Sequence, residues 1–286
     1  MTFCAPPDPD PHSPRFAVPE GAVDCHAHIF GPESRYPYAG ERSYTPPDAP
    51  LAAYRRLLKT LGVARGVLVQ PSVYSFDNSC LLDGLREAGP DFHGAAVVDP
   101  GCADAELHRL HAAGVRGLRF NVVFGGNAAL QGARALAARI AGLGWHVQLL
   151  IDVSIFPGLS ALVRSIAVPV IVDHMGHVPV GKGVGHPGFQ ELIGLMRDQA
   201  CWAKLSAPYR LLGEAGAGYA DVVPFAQALV EAAPARCLWA TDWPHPQIPV
   251  AMPNDGDLMD LLADWVPDAG LRRQILVHNP TRLYGF

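Results

Sequence analysis

Short apolar runs recur along the chain, and each gives way to a stretch where apolar residues return every three or four positions. The runs fall at residues 22–28, 66–72, 93–99, 117–121, 146–151, 169–174, 201–206 and 238–242. Each is bounded by Gly, Pro or Asp, the pattern of strands buried on both faces of a parallel sheet. Helical periodicity occupies 51–61, 80–87, 105–113, 130–141, 159–166, 189–197, 219–231, 258–265 and 271–277. Gly62, Gly89, Gly114 and Gly142 follow four of these stretches, where a left-handed C-terminal cap favours a residue without Cβ. Eight strands alternating with helices over about 260 residues match an α/β fold of the (β/α)8 TIM-barrel type. A doubly wound open sheet is the competitor, but no Gly-x-Gly-x-x-Gly follows the first strand. The expected organisation is a single catalytic barrel over 21–286. Residues 1–20, rich in Pro, Asp and Ser, are expected to form an extended or loose arm.

Composition narrows the function classes. The 286 residues are 49% hydrophobic and 17% charged, which excludes wholesale disorder and requires a substantial core. Lys and Arg number 22 against 27 Asp and Glu, a net charge of −5 with no basic patch. Neither nucleic acid nor an anionic membrane surface is therefore an expected partner. The six cysteines are dispersed and include no Cys-x-x-Cys pair, so neither a disulfide framework nor a thiolate zinc site is expected. The N-terminal residues lack a basic n-region and an apolar h-region, and no run reaches the roughly 18 apolar residues of a membrane span. A cytoplasmic protein is expected, and no interface signature assigns an oligomeric state.

The first strand ends Val23-Asp24-Cys25-His26-Ala27-His28. Side chains at i and i+2 share a face of a strand, so His26 and His28 point together into the barrel mouth, where barrel active sites lie. Cys25 is expected on the opposite face, as a small buried hydrophobe. His174 closes the sixth strand and Asp242 the eighth, and a carboxylate ending an apolar run needs partners if it is buried. Three imidazoles and one carboxylate at strand ends suit acid–base chemistry on a carbonyl, with the carboxylate moving the proton and the imidazoles stabilising charge. The same four side chains also suit one zinc ion. A binuclear centre is not expected, because the fifth strand, His146-Val147-Gln148, offers no bridging ligand and Lys204 lies on the seventh. Arg119, in register with Gly117 and Asn121, and Arg210 each offer a planar fork for a carboxylate.

The Asp-x-His-x-His start, the His after the sixth strand and the Thr241-Asp242-Trp243-Pro244-His245 ending resemble the amidohydrolase superfamily. Val69-Gln70-Pro71-Ser72 and Gly117-Leu118-Arg119-Phe120-Asn121 bring the resemblance closest to the metal-independent 2-pyrone-4,6-dicarboxylate lactonase-like group of the amidohydrolase 2 type. It covers roughly residue 20 to the C-terminus and implies an amidohydrolase-like barrel that opens a small lactone with water. It further implies Asp242 as general base and then acid, with His26, His28 and His174 around the scissile carbonyl. Tyr44, Ser72 and His245 would join Arg119 and Arg210 at the substrate. No cofactor is required on this resemblance, although a single zinc on His26, His28, His174 and Asp242 would make a mononuclear hydrolase or decarboxylase instead. One segment departs from the group, which carries another basic residue shortly after the strand bearing the matching Arg. Here Val122-Val123-Phe124-Gly125-Gly126 has no cation. A lactone with one acidic group, or a sugar lactone, then becomes as good a candidate as the dicarboxylate.

Overall fold

A computed structural model describes residues 2–213 and 216–286, leaving out the side chains at 124, 125, 127 and 128. Its strands are β1 (Thr2–Phe3), β2 (Val23–Ala27), β3 (Tyr44–Thr45), β4 (Arg65–Val69) and β5 (Phe92–Ala96), followed by β6 (Val115–Asn121), β7 (His146–Leu150), β8 (Val170–Val172), β9 (Cys201–Leu205) and β10 (Cys237–Trp239). Eight of them, in the order β2-β4-β5-β6-β7-β8-β9-β10, pair in parallel. The first and last strands meet beyond β10: Ala27 bridges Trp243, the His28 amide donates to the Trp243 carbonyl, and the Asp242 amide donates to the His26 carbonyl. These bonds close the barrel directly beneath the candidate residues. All eight strands expected from the apolar runs are present.

A helix follows every barrel strand, and its buried residues pack on the barrel's outer face. In Leu51–Leu61 these are Leu51, Tyr54, Leu57, Leu58 and Leu61, an i, i+3, i+4 stripe whose end is capped by Gly62 in the left-handed conformation. The helix Ala133–Ile140 differs from expectation at its end. It runs on into a tighter turn over Ala141–Leu143, and Gly144, at φ 68°, makes the cap in place of Gly142. The C-terminal periodicity is also broken differently from its apparent 271–277 span. A helix Ala269–Arg273 widens into a π-turn, Gln274–His278, and restarts as Asn279–Tyr284. Pro280 lies at the start of that last helix, where its missing N–H costs nothing. Asn279 fixes the restart by donating from Nδ2 to the carbonyls of Pro234 and Cys237.

Inside the barrel a small apolar cluster of Val23, Cys25, Val67, Ile171, Trp202 and Leu238 fills the lower half, and Tyr284 plugs it from below. Cys25 thus faces the interior, contrary to its expected outward face. The reason is a register shift in β2: Asp24 pairs with Gly66 but Ala27 with Leu68, so one extra residue is inserted between them. Below this bulge the odd-numbered residues face in; above it His26 and His28 do. Asp24 is turned outwards, where it accepts from the Tyr54 hydroxyl and from the amide and hydroxyl of Thr241.

Residues 2–20 contain no helix and are anchored to the barrel's loops and outer helix. Thr2 and Phe3 pair in parallel with Tyr44 and Thr45. Further on, the His12 and Arg15 amides donate to Asn254 and Asp260 on the helix Asp255–Trp265 and its cap. Among the described residues, no helix is long and apolar enough to cross a membrane.

Candidate active site

His26 and His28 enter the barrel mouth from the bulged end of β2, His174 from the turn after β8, and Asp242 from the turn after β10. His174 and Asp242 hold φ angles of 50° and 64°, in the left-handed region that L-residues avoid. The convergence expected of the four is present. Asp242 Oδ1 lies 3.6 Å from His26 Nε2, 3.7 Å from His28 Nε2 and 3.6 Å from His174 Nε2. Among the described residues that oxygen has no hydrogen-bond donor, although it is fully buried. The other oxygen, Oδ2, is saturated, receiving the Tyr209 hydroxyl at 2.8 Å and the Arg210 guanidinium at 2.8 and 3.1 Å. Burial alone would raise the Asp242 pKa, but Arg210, with its fixed charge, holds the carboxyl well below its usual range. Asp242 is therefore a carboxylate with one oxygen tied down and the other facing three ring nitrogens.

Each imidazole is oriented from behind. His28 donates from Nδ1 to the Val69 carbonyl at 2.7 Å, leaving an unprotonated Nε2 towards the site when the ring is neutral. His174 Nδ1 shares a 2.9 Å hydrogen bond with Ser206 Oγ. His26 Nδ1 lies 2.8 Å from Lys204 Nζ. Burial and the neighbouring Lys204 charge push the His26 pKa down to about 3, and burial lowers those of His28 and His174 as well. All three rings are neutral at ordinary pH.

Tyr44, Ser72, Arg119 and Arg210 join His28 and His174 around one small cavity, completed by Asn121, Leu150, Pro246 and Gln247. Arg119 is buried and lies 3.6 Å from Asp173. His245 does not line this cavity. It is fully buried behind Asp242, with Nδ1 3.0 Å from the Tyr209 hydroxyl and Nε2 3.2 Å from Asp255. It follows the Trp243-Pro244 turn and sits against Tyr209 and Asp255. The cation-free segment 122–126 forms a short helix, Val122–Gly125, leading into the turn Gly126–Leu130; the side chains at 124 and 125 lie outside the described residues.

Three residues without a role in the sequence reading, Lys204, Asp173 and Tyr209, lie against the candidate residues. Lys204, fully buried on β9, reaches His26 Nδ1, Gln148 Oε1 at 2.8 Å and Asp173 Oδ1 at 2.9 Å. Asp173 and Tyr209 each immediately precede a residue already singled out, which was the one available signal. As a metal site the cluster fits in donor type, since His26, His28 and Asp242 present atoms within 4.8 Å of one another, as do His26, Asp173 and His174. It does not fit in protonation. An ammonium already engages His26 and Asp173, and Arg210 engages Asp242.

Known proteins resemble this chain over most of its length. The amidohydrolase family model matches residues 23–286. A 2-pyrone-4,6-dicarboxylate hydrolase of Comamonas testosteroni is 43% identical, over 96% of this chain and 93% of that protein. A 4-sulfomuconolactone hydrolase of Rhizobium radiobacter is 41% identical, over 94% of this chain and 92% of that one. Among solved structures, a probable 2-pyrone-4,6-dicarboxylic acid hydrolase of Acinetobacter baumannii with citric acid bound superposes with a TM-score of 0.83 at 28% identity, covering 93% of this chain and all of that one.

Proposed function

Because this chain belongs to the amidohydrolase family, we propose that it is a hydrolase that opens a small acidic or sugar-derived lactone with water. The observation that carries the reading is the free Asp242 oxygen, buried among three ring nitrogens and beside a cavity edged by two arginines. The relatives' names, both of lactone hydrolases, support the same class.

In this reading Asp242 Oδ1 takes a proton from a water that attacks the lactone carbonyl carbon. The ring C–O bond then breaks, and Asp242 returns the proton to the leaving oxygen, which becomes a hydroxyl. A donor is needed at the carbonyl oxygen as charge develops. Lys204 donates into His26 Nδ1, which places the His26 proton on Nε2 and makes that ring a donor towards the site. His174 is the second candidate donor. His28 faces the site with a bare Nε2, so it is better placed to accept from the attacking water than to polarise the carbonyl. Arg119 and Arg210 would grip one carboxylate, with Tyr44 and Ser72 completing the wall. The lack of a cation in segment 122–126 favours a lactone with a single acidic group or with hydroxyls.

The test is a panel of aromatic-derived and aldonic lactones, with acid release as the readout. Turnover of at least one member is expected, unchanged after dialysis against a chelator. Asp242→Asn is expected to lower kcat by about a thousandfold, the range of a lost general base. Full activity in that variant would overturn the assignment of Asp242, and chelator-sensitive turnover would favour the zinc enzyme.

A further inference from the structure

The amine of Lys204 sits within the barrel at 2.8 Å from two acceptors, an imidazole nitrogen of His26 and the amide oxygen of Gln148, and forms an ion pair with Asp173 Oδ1 at 2.9 Å. Gln148 is held in that orientation because its Nε2 is engaged with His146. An ammonium has protons and no lone pair, so two acceptors and a paired carboxylate suit it; burial lowers the Lys204 pKa, and the Asp173 charge opposes that shift. A Lys–NH3⁺ can only donate to His26 Nδ1. The single proton of the neutral ring must then reside on Nε2, the nitrogen that faces Asp242 at 3.6 Å and His28 Nε2 at 3.3 Å. A metal would need the reverse, with a bare Nε2 as ligand and a protonated Nδ1 donating to an acceptor behind it.

We infer that Lys204 is the residue that keeps this histidine cluster free of metal, by holding His26 as the Nε2–H tautomer. The His-x-His pair is thereby converted from a pair of ligands into one donor, His26, and one acceptor, His28. The ammonium also occupies the space beside Asp173, which removes the second cluster, His26 with Asp173 and His174, as a cation site. Lys204 acts through His26 and touches no substrate, so it is a positioning residue. The cation behind the ring makes the Nε2–H a stronger donor, so the electrostatic role of a metal falls to the chain's own charge.

This inference rests on the metal-free half of the proposed reaction but needs no substrate for its test. Long-range proton–nitrogen correlation spectra of nitrogen-15 histidine-labelled protein, assigned with His26→Asn, are expected to show His26 as the Nε2–H tautomer. An Nδ1–H tautomer would overturn the inference. Equilibrium dialysis of the native protein against zinc is expected to leave the site substoichiometric. The double variant Lys204→Gln/Asp173→Asn removes both charges together and avoids leaving either buried alone. It is expected to bind zinc about tenfold or more tightly than the native protein, the scale on which a ligand's outer partner alters metal affinity. Stoichiometric zinc on the native protein would sink both the inference and the metal-free reading. An unchanged affinity in the folded double variant would sink the inference alone, and if that variant does not fold, the tautomer of the native protein decides.

Discussion

His174 and Asp242 occupy backbone conformations that ordinarily cost about 1–3 kcal/mol each, and both lie where strand meets loop at the mouth. The turn bonds around them, such as the His245 amide on the Asp242 carbonyl, hold that strain in place. At this scale the electrostatics lead to a pH prediction. In the free protein Arg210 holds Asp242 well below the usual carboxylate range, and His26 titrates only at about 3. Lowering the pH from about 8 to about 5 therefore changes neither group, and kcat/KM should show no inflection near the ordinary histidine pKa of about 6.5. A substrate carboxylate that draws Arg210 away removes the main counter-charge on Asp242, and its pKa must then rise in the complex. The acid limb of kcat should accordingly lie at higher pH than that of kcat/KM. Coincident limbs would mean that Arg210 stays on Asp242 throughout. The four convergent residues were legible because each ends an apolar run. Lys204, Asp173 and Tyr209 were not, because their roles come from partners up to 178 positions away in sequence. His245, three positions after Asp242, packs against Tyr209 and Asp255, contacts that its place in the sequence does not reveal.

Among the elements, β2 shows most clearly what periodicity can and cannot reveal. The i, i+2 rule placed His26 and His28 together correctly, yet carried down the strand it misplaced Cys25. A bulge leaves no mark in a five-residue apolar run, since polar and apolar positions are buried alike. The eight-strand alternation was legible because it repeats; the π-turn near the C-terminus was not, because one extra residue per turn barely perturbs an apolar stripe. The helix Asp255–Trp265 supplies a prediction at this level. Asn254 caps it by accepting from the Gly256 amide, and the same oxygen accepts from His12 while the side-chain amide donates to Asp8 and to the Asp10 carbonyl. Asn254→Ala should cost about 1 kcal/mol in denaturant unfolding, the usual loss for a helix cap. It should also speed amide exchange at His12 and Arg15. Unaltered exchange there would show that other contacts anchor the arm.

For the whole molecule, the barrel divides into a dry lower half and a charged upper half. The arm belongs to the upper half. Thr2 and Phe3 pair with Tyr44 and Thr45, and the Gln247 amide donates to Cys4 Sγ, so residues 2–4 brace two members of the cavity wall, Tyr44 and Gln247. Removing residues 2–20 should therefore raise KM several-fold more than it lowers kcat, measured with the lactone identified in the panel, because binding surface is lost while Asp242 is untouched. An equal fall in kcat would mean that the arm also fixes the reacting groups. The other terminus does the opposite job, with Tyr284 filling the barrel from beneath and Phe286 stacked on His93. The two end segments therefore bear on opposite faces of the barrel: a change at residues 2–4 reaches the wall of the cavity, whereas a change at Tyr284 or Phe286 reaches the packing beneath it.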